Sequence, residues 1–256
     1  MKILAISNQK GGVAKTTLSV HLAYAAHEKG LRVLLVDFDP QQNAGMSFEP
    51  ADESQDFLKT HDLFTDTSKP VEFVKDRLAI IRASEQNLVN ISLNVNEQNL
   101  LIKLPALALK TFENDFDVCI MDTPPAKGIL LDSALVAANQ VLTPVKMGKY
   151  ELSGFADLLN NIRRIRNSGL NPRLKHIGSI PMKINTRSSD QMSRLDNFRT
   201  EYGKAVLPLM ISEREAVQMA VNQGQPVWVK VKGLSHKRTA DEWRGACDFI
   251  LNILTA

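Results

Sequence analysis

Short blocks of consecutive apolar residues alternate along this chain with longer stretches of helical periodicity. Lys2-Ile3-Leu4-Ala5-Ile6 reads as a short buried strand, and residues 31–37 as a second, continuous one. Leu78-Ala79-Ile80-Ile81 gives a third, residues 117–122 a fourth, 140–145 a fifth and 176–180 a sixth. Residues 16–29 are expected to form a helix that stops near Gly30. Residues 96–115 are expected to be helical, with Pro105 breaking or kinking the run. Further helices are expected over 151–167 and near 188–202, 213–222 and 240–254. Ser212-x-x-Glu215 and Thr239-x-x-Glu242 have capping-box spacing and are expected to start the last two. Strands that are apolar throughout, separated by helices, predict a parallel sheet covered on both faces. The expected fold is therefore α/β, doubly wound and mostly parallel, with ligands bound beyond the carboxyl ends of the strands.

Composition narrows the class without naming a function. A chain of 256 residues with 44% apolar and 23% charged residues is ordinary globular protein. At that length it buries roughly 70–75% of its unfolded surface and needs no covalent staples. No apolar run approaches the ~18 residues of a membrane span. The apolar stretch after Lys2 ends at Ile6, too short for a signal peptide. Cys119 and Cys247 supply neither a disulfide framework nor a metal cluster and fit a reducing cytoplasm. No helix-turn-helix precedes the first strand, so one domain over 1–256 is expected. Net charge of +3 hides an asymmetry. Residues 1–150 hold 15 Lys/Arg against 18 Asp/Glu, net −3, and residues 151–256 hold 16 against 10, net +6. A basic second half suggests a polyanion surface.

The chemistry sits where the first strand meets the first helix. Lys10-Gly11-Gly12-Val13-Ala14-Lys15-Thr16-Thr17 is a glycine-containing loop that leads into a helix N-terminus. Glycines let backbone N–H groups converge on an anion, and the helix start adds free N–H groups and a positive dipole end. Lys15 is placed to reach the β- and γ-phosphates and Thr16 to offer a hydroxyl to Mg²⁺. The standard G-x-x-x-x-G-K-[ST] pattern fails, because Gln9 and Ala14 occupy its glycine positions. What stands instead is K-G-G-x-x-K-[ST]-[ST], with a second lysine at Lys10.

This loop resembles that of the ParA/MinD family of deviant-Walker P-loop ATPases, and the resemblance runs over nearly the whole chain. Leu35-Val36-Asp37-Phe38-Asp39-Pro40-Gln41-Gln42-Asn43 is similar to the family's D-x-D-P-Q-x-N motif. Met121-Asp122-Thr123-Pro124-Pro125 resembles its Walker B and switch segment. Val141 to Val145 followed by Tyr150-Glu151-Leu152-Ser153-Gly154, the segment from Pro208 to Ala216, and Gly224-Gln225-Pro226-Val227 resemble later parts of the ParA branch.

The resemblance implies ATP and Mg²⁺ as cofactors and a slow ATPase. It implies that Lys10 crosses a dimer interface to the phosphates of the partner's ATP. Lys10, Lys15 and Asp39 are the implied catalytic residues, Asp39 by orienting the attacking water. Gly11, Gly12, Val13, Ala14, Thr16 and Thr17 complete the implied phosphate site, with Thr17 on the α-phosphate. Thr16, Asp39 and Asp122 are the implied oxygens on the metal side, and Asp37 is either structural or a holder of the metal's water shell. Met182, Asn185, Pro208 and Met210 are the expected neighbours of the base, and Pro124-Pro125 a stiff turn that reports the γ-phosphate. Two residues depart from the pattern: Ala14 stands where the family has glycine, and Lys127 where it is usually apolar.

Three second ligands compete. Non-specific DNA, bound by an ATP-dependent homodimer, suits the basic half, and Lys230, Lys232, Lys237 and Arg238 are its leading contacts. Arg187, Arg194, Arg199, Lys204 and Arg214 are further candidates. A ParB-like adaptor is implied as protein partner, with cytoplasmic, nucleoid-associated localisation. The alternative is a MinD-like membrane-associated positioning ATPase. Its basic amphipathic terminal helix is missing, because Trp243, Cys247, Ile250, Leu251 and Leu254 share a face beside partly acidic polar positions. That face is expected to pack into the core, and no stable membrane anchor is expected. An electron donor like the nitrogenase iron protein needs cluster cysteines that a strand Cys119 and a helix Cys247 do not supply.

Overall fold

The computed structural model describes residues 1–94, 96–148 and 151–256, and the side chains of 151–154 stand outside the description. Tyr150 and the side chains of the Glu151 to Gly154 motif therefore lie outside the described residues.

Apolar segments of four or five residues form the sheet centre. β1 (Lys2–Ile6), β2 (Val33–Asp37), β4 (Leu78–Ile81) and β5 (Val118–Asp122) are buried along most or all of their length. With β3 (Glu72–Lys75), β6 (Gln140–Lys146) and β7 (Lys175–Met182) they make one seven-stranded sheet in the order β3-β4-β2-β5-β1-β6-β7. Every pairing is parallel except β3 against β4. Strands this apolar cannot leave a face in water, and helices cover both. One face packs α1 (Lys15–Glu28), α8 (Glu215–Asn222) and α9 (Gly233–Thr255). The other packs α2 (Glu85–Leu93), α4 (Leu104–Lys110), α5 (Ile129–Ala137) and α6 (Glu151–Asn167). α3 (Gln98–Leu101) precedes α4, and α7 (Ser189–Tyr202) lies over a small third cluster with Val145, Phe155, Leu195 and Phe198.

Several boundaries differ from the sequence reading. The third predicted strand is the second half of a hairpin whose first half, β3, was not foreseen. α2 was not foreseen either, and residues 96–115 break into α3 and α4, with Pro105 in the first turn of α4, so the run is broken there rather than kinked. α5 is buried nearly all round and so lacks a 3.6-residue polar stripe.

Neither predicted capping box forms. α9 begins seven residues earlier than expected, so Thr239 lies inside it and bonds back to the Ser235 carbonyl at 3.0 Å. Ser212 instead spends its N–H and hydroxyl on Glu242. A tertiary contact between α9 and the segment before α8 wins over two local caps. The terminal helix buries Trp243, Cys247, Ile250, Leu251 and Leu254 in the core beside α1, as its apolar face predicted. No helix among the described residues is long and apolar enough to cross a membrane.

α1 is the central helix. His21 is fully buried there, its ring 4.3 Å from that of Trp243 and tilted 37° to it, with Nδ1 donating to the Thr17 carbonyl at 2.7 Å and Nε2 accepting the Val227 N–H at 3.1 Å. Burial drives its pKa down to about 4, which matches the neutral ring those bonds require. The Gly224 to Val227 turn is thus pinned to α1 at two points, since Tyr24 also donates to the Gly224 carbonyl at 2.5 Å.

Candidate active site

The loop between β1 and α1 is fixed from below. The Asn8 carboxamide donates to the Pro144 carbonyl at 2.7 Å and accepts the Lys10 N–H at 3.0 Å. Val13 is fully buried and anchors the loop in the core. A Cβ built on Gly11 or Gly12 would meet no atom within 4 Å. Gly12 has φ +70, so conformation rather than lack of room favours glycine there.

Ala14 has φ 70 and ψ 32 at the N-cap of α1, left-handed backbone that suits glycine and strains alanine by roughly 1 kcal/mol. Ala14→Gly is therefore expected to raise unfolding free energy by about 1 kcal/mol, or Tm by about 2–4 °C. A chemical denaturation midpoint at or below that of the native chain would rule the strain out.

Lys15 is 7% exposed, and its Nζ donates to the Lys10 carbonyl at 3.3 Å. Burial lowers its pKa, and Asp122 and then Asp39 pull it back up. A lysine held this far out of water, with one long neutral hydrogen bond, is a cation suited to an anionic ligand. Thr16 donates its hydroxyl to Asp122 Oδ2 at 2.6 Å, and Ser19 donates to Oδ1 at 3.2 Å. Asp122 is thus held by two hydroxyls. Ser19 escaped the sequence reading, although its i+3 spacing from Thr16 puts both hydroxyls on one helix face.

Asp37 and Asp39 divide their work. Asp37 Oδ1 accepts the Asp39 N–H at 3.0 Å and Oδ2 accepts the Gly45 N–H at 2.9 Å. Asp37 thereby shapes the 39–45 loop. Arg82 clamps the same loop by donating to the Gly45 and Phe48 carbonyls while paired with Glu72 at 2.6 Å. Asp39 Oδ1 accepts the Gln41 N–H at 3.0 Å, and the residue is 7% exposed at the cleft wall. Burial first, and then mutual repulsion, pushes the Asp37 carboxyl up. Burial also pushes Asp122 up, against the Thr16 hydroxyl and Lys15.

These groups meet in a cleft of about 530 Å³ lined by Gly11, Gly12, Ala14, Lys15, Thr16, Thr17, Asp39 and Pro125. Gln41, Asn43, Met46, Ser47, Lys183, Gln218, Val221 and Asn222 also line it and were not foreseen. Lys183 carried a faint signal, a cation directly after an apolar strand end, and it adopts φ 55. The donor set of Thr16, Asp39 and Asp122 is all oxygen, as a hard divalent cation requires. No cluster of three or more His, Cys, Asp or Glu that would hold a metal occurs among the described residues. Mg²⁺ fits this set, because it is usually held by one or two carboxylates together with phosphates and water.

A second cleft of about 290 Å³ adjoins the first through Ala14, Thr17, Lys183 and Gln218. Met182 lines it, with residues 211–215, Val217 and Trp243. The structure does not bring Asn185, Pro208 or Met210 there. Residues 207–211 run extended beside β7, with Leu207 N–H on Ser179 and Ile211 N–H on Pro181. Side chains therefore alternate. Leu207, Leu209 and Ile211 face the α1 core, whereas Pro208 is exposed and Met210 packs on the α7 cluster. Asn185 accepts the Arg187 N–H and lines a polar cavity of about 500 Å³ with Arg187, which adjoins the second cleft through Glu213 and Arg214.

Lys230, Lys232, Lys237 and Arg238 are all exposed, and none forms an ion pair among the described residues. They cluster at the start of α9, whose dipole there disfavours cations. Arg194 is paired with Asp190, and Lys127 with Asp157 at 3.5 Å. Cys119 and Cys247 are both fully buried, and burial pushes each thiol up.

Comparison with known proteins follows this geometry. A family model described as an AAA domain (AAA_31) matches residues 1–176. Protein IncC of Escherichia coli is 30% identical over 256 residues, spanning 98% of this chain and 69% of its own length. The chromosome partitioning protein ParA of Myxococcus xanthus is 29% identical, over 88% of this chain and 80% of its own. Among solved structures, cobyrinic acid a,c-diamide synthase from Mycobacterium smegmatis, with bound ATP analogue and magnesium, superposes with TM-score 0.79. It is 26% identical and the match covers 98% of this chain and 95% of that one.

Proposed function

This chain belongs to the AAA_31 family of AAA domains, as a ParA/MinD-type P-loop ATPase, and from that premise we propose that it is a ParA-type positioning ATPase acting as one domain over residues 1–256. The observation that carries the reading is Lys15, a buried cation with only one long backbone hydrogen bond, facing the cleft between two glycines and Asp39.

In this reading Mg²⁺-ATP supplies the phosphoanhydride whose hydrolysis resets the protein. The loop N–H groups and Lys15 hold the phosphates. Thr16 and Asp122 hold the metal side, Asp39 orients the attacking water, and the cleft around Met182 takes the base. Lys10 has its backbone fixed at both ends, by Asn8 and by Lys15, while its half-buried side chain makes no ion pair among the described residues. That arrangement suits a lysine that reaches the phosphates of a second protomer, making ATP the bond between two copies and offsetting charge that develops during transfer.

The ATP-bound dimer binds DNA without sequence preference through Lys230, Lys232, Lys237 and Arg238, and a ParB-like adaptor on the cargo accelerates hydrolysis. The cargo is a plasmid, a chromosome or another body, and the protein is cytoplasmic and nucleoid-associated when ATP-bound. The apolar face of α9 packs into the core, which favours this reading over the MinD-like alternative.

Duplex DNA binding measured without nucleotide, with ADP and with a slowly hydrolysed ATP analogue, across a salt series, tests this. Binding only with the analogue is expected, weakening steeply with salt. The Lys232→Ala, Lys237→Ala double variant removes two cations per protomer, and the log–log salt slope is expected to fall by about 3.6 for a dimer. DNA binding that ignores the nucleotide, or an unchanged slope, overturns the assignment.

A further inference from the structure

The margin of the sheet farthest from β7 is a short antiparallel strand. β3 stands at the end of the strand order and pairs only with β4, so one side of its backbone is an open edge. Beside it, Phe57, Phe73, Phe112 and Phe116 line a groove of about 580 Å³ together with Pro70 and Val71. The Phe73 ring stacks on Phe116 at 6.1 Å and still leaves the residue 52% exposed. Phe112 meets Phe116 edge to face at 6.5 Å. Phe57 and Phe116 are buried, so the aromatic surface open to water at this strand edge is Phe73 above a packed phenylalanine floor, a face available for contact.

Charge says what the contact is with. Residues 49–56 carry Glu49, Asp52, Glu53 and Asp56 and no Lys or Arg. That segment supplies Ala51 and Gln55 to the groove, and Asp115 lines it too. Of the nearby cations, Lys69 pairs with Asp56 and Asp62 and Arg32 with Asp117, while Lys75 at the far end of β3 lies over the Tyr24 ring. Asp52, Glu53 and Asp115 form no ion pair among the described residues.

We infer that this groove docks an extended peptide segment in which an aromatic or aliphatic side chain is flanked by lysine or arginine. The open edge of β3 offers backbone pairing, the phenylalanine floor takes the apolar side chain, and the acidic wall takes the cations. Lysine or arginine is also attracted to the faces of the aromatic rings. Nucleic acid and anionic membrane are repelled by the same wall. A symmetric contact between two copies would set that wall against itself. No residue of the groove lines the phosphate cleft, so the inference stands apart from the ATPase reading.

The test is fluorescence anisotropy of a short labelled peptide alternating Lys or Arg with Phe and Leu, titrated with the full chain at low salt. Saturable binding is expected, at least tenfold weaker for the peptide with Glu in place of every Lys and Arg. Phe73→Ser is expected to weaken it about tenfold. Glu53→Lys with Asp115→Lys, both exposed positions, is expected to do the same without touching the aromatic floor. Equal binding of the two peptides, or a charge-reversed variant that binds as tightly as the native chain, overturns the inference. Sedimentation of the chain alone checks the other occupant: a concentration-dependent dimer that Phe73→Ser dissociates would assign the groove to a second copy and overturn it as well.

Discussion

Replacing Lys15 by alanine is expected to abolish measurable ATP binding, a loss of about 10²–10³-fold or roughly 3–4 kcal/mol. The size follows from where the ammonium sits. It is 7% exposed, so its attraction to a phosphate is screened by little water, and the desolvation cost is already met in the folded chain. The fold is expected to survive, because the Nζ makes a single 3.3 Å bond to the Lys10 carbonyl. Removing it also leaves Asp39 and Asp122 without the cation that offsets them, which further disfavours a polyphosphate nearby. Isothermal titration with ATP and Mg²⁺, alongside a thermal melt, measures both. Near-native affinity in a folded variant would refute the phosphate-loop assignment.

Asp39→Ala is expected to do the reverse, keeping ATP affinity within about threefold while kcat falls at least about 10²-fold, the range for losing a group that positions or deprotonates the nucleophile. Asp39 lines the cleft wall and among the described residues its side chain accepts only the Gln41 N–H, so its loss leaves the glycines, Lys15 and Thr16 in place. The adjacent Asp37 makes the contrast. Its two oxygens hold the Asp39 and Gly45 amides, so Asp37→Ala is expected to damage the loop itself and to lower affinity and kcat together. Single-turnover hydrolysis with a separate binding measurement distinguishes the two patterns. Unchanged turnover in Asp39→Ala would remove that residue from the mechanism, and dimers that persist with ATP in the variant would support a cycle reset by hydrolysis.

Much of this site could be read along the chain because its determinants are local. A strand, a glycine turn and a helix start are consecutive in sequence, so Lys10 to Thr17 carried the phosphate loop without any knowledge of the rest. Asp39 and Asp122 were legible for a related reason. A carboxylate that ends or follows a wholly apolar strand must sit where parallel strands open onto a ligand. The lining of the second cleft was less legible. Met182 lines it and closes β7, whereas Pro208 and Met210 point away from it because side chains alternate along that segment and the sequence does not mark its inner face. Gln218 and Asn222 come from α8 and meet the loop only through packing.

The sequence alone determined the α/β class, the parallel sheet, the anion-binding loop and the core role of the terminal helix, since each rests on periodicity or on neighbours within a few residues. Tertiary structure decided the rest. It set the Thr16 and Ser19 hydroxyls on Asp122 across more than a hundred residues. It drew Ser212 from a helix cap to Glu242. It also placed the unforeseen strand β3 at an open edge beside four phenylalanines. The physical reason is the same in each case. Local pattern fixes what a segment can satisfy by itself, whereas a buried polar group or an aromatic face is settled by whichever distant partner the fold brings within a few ångström.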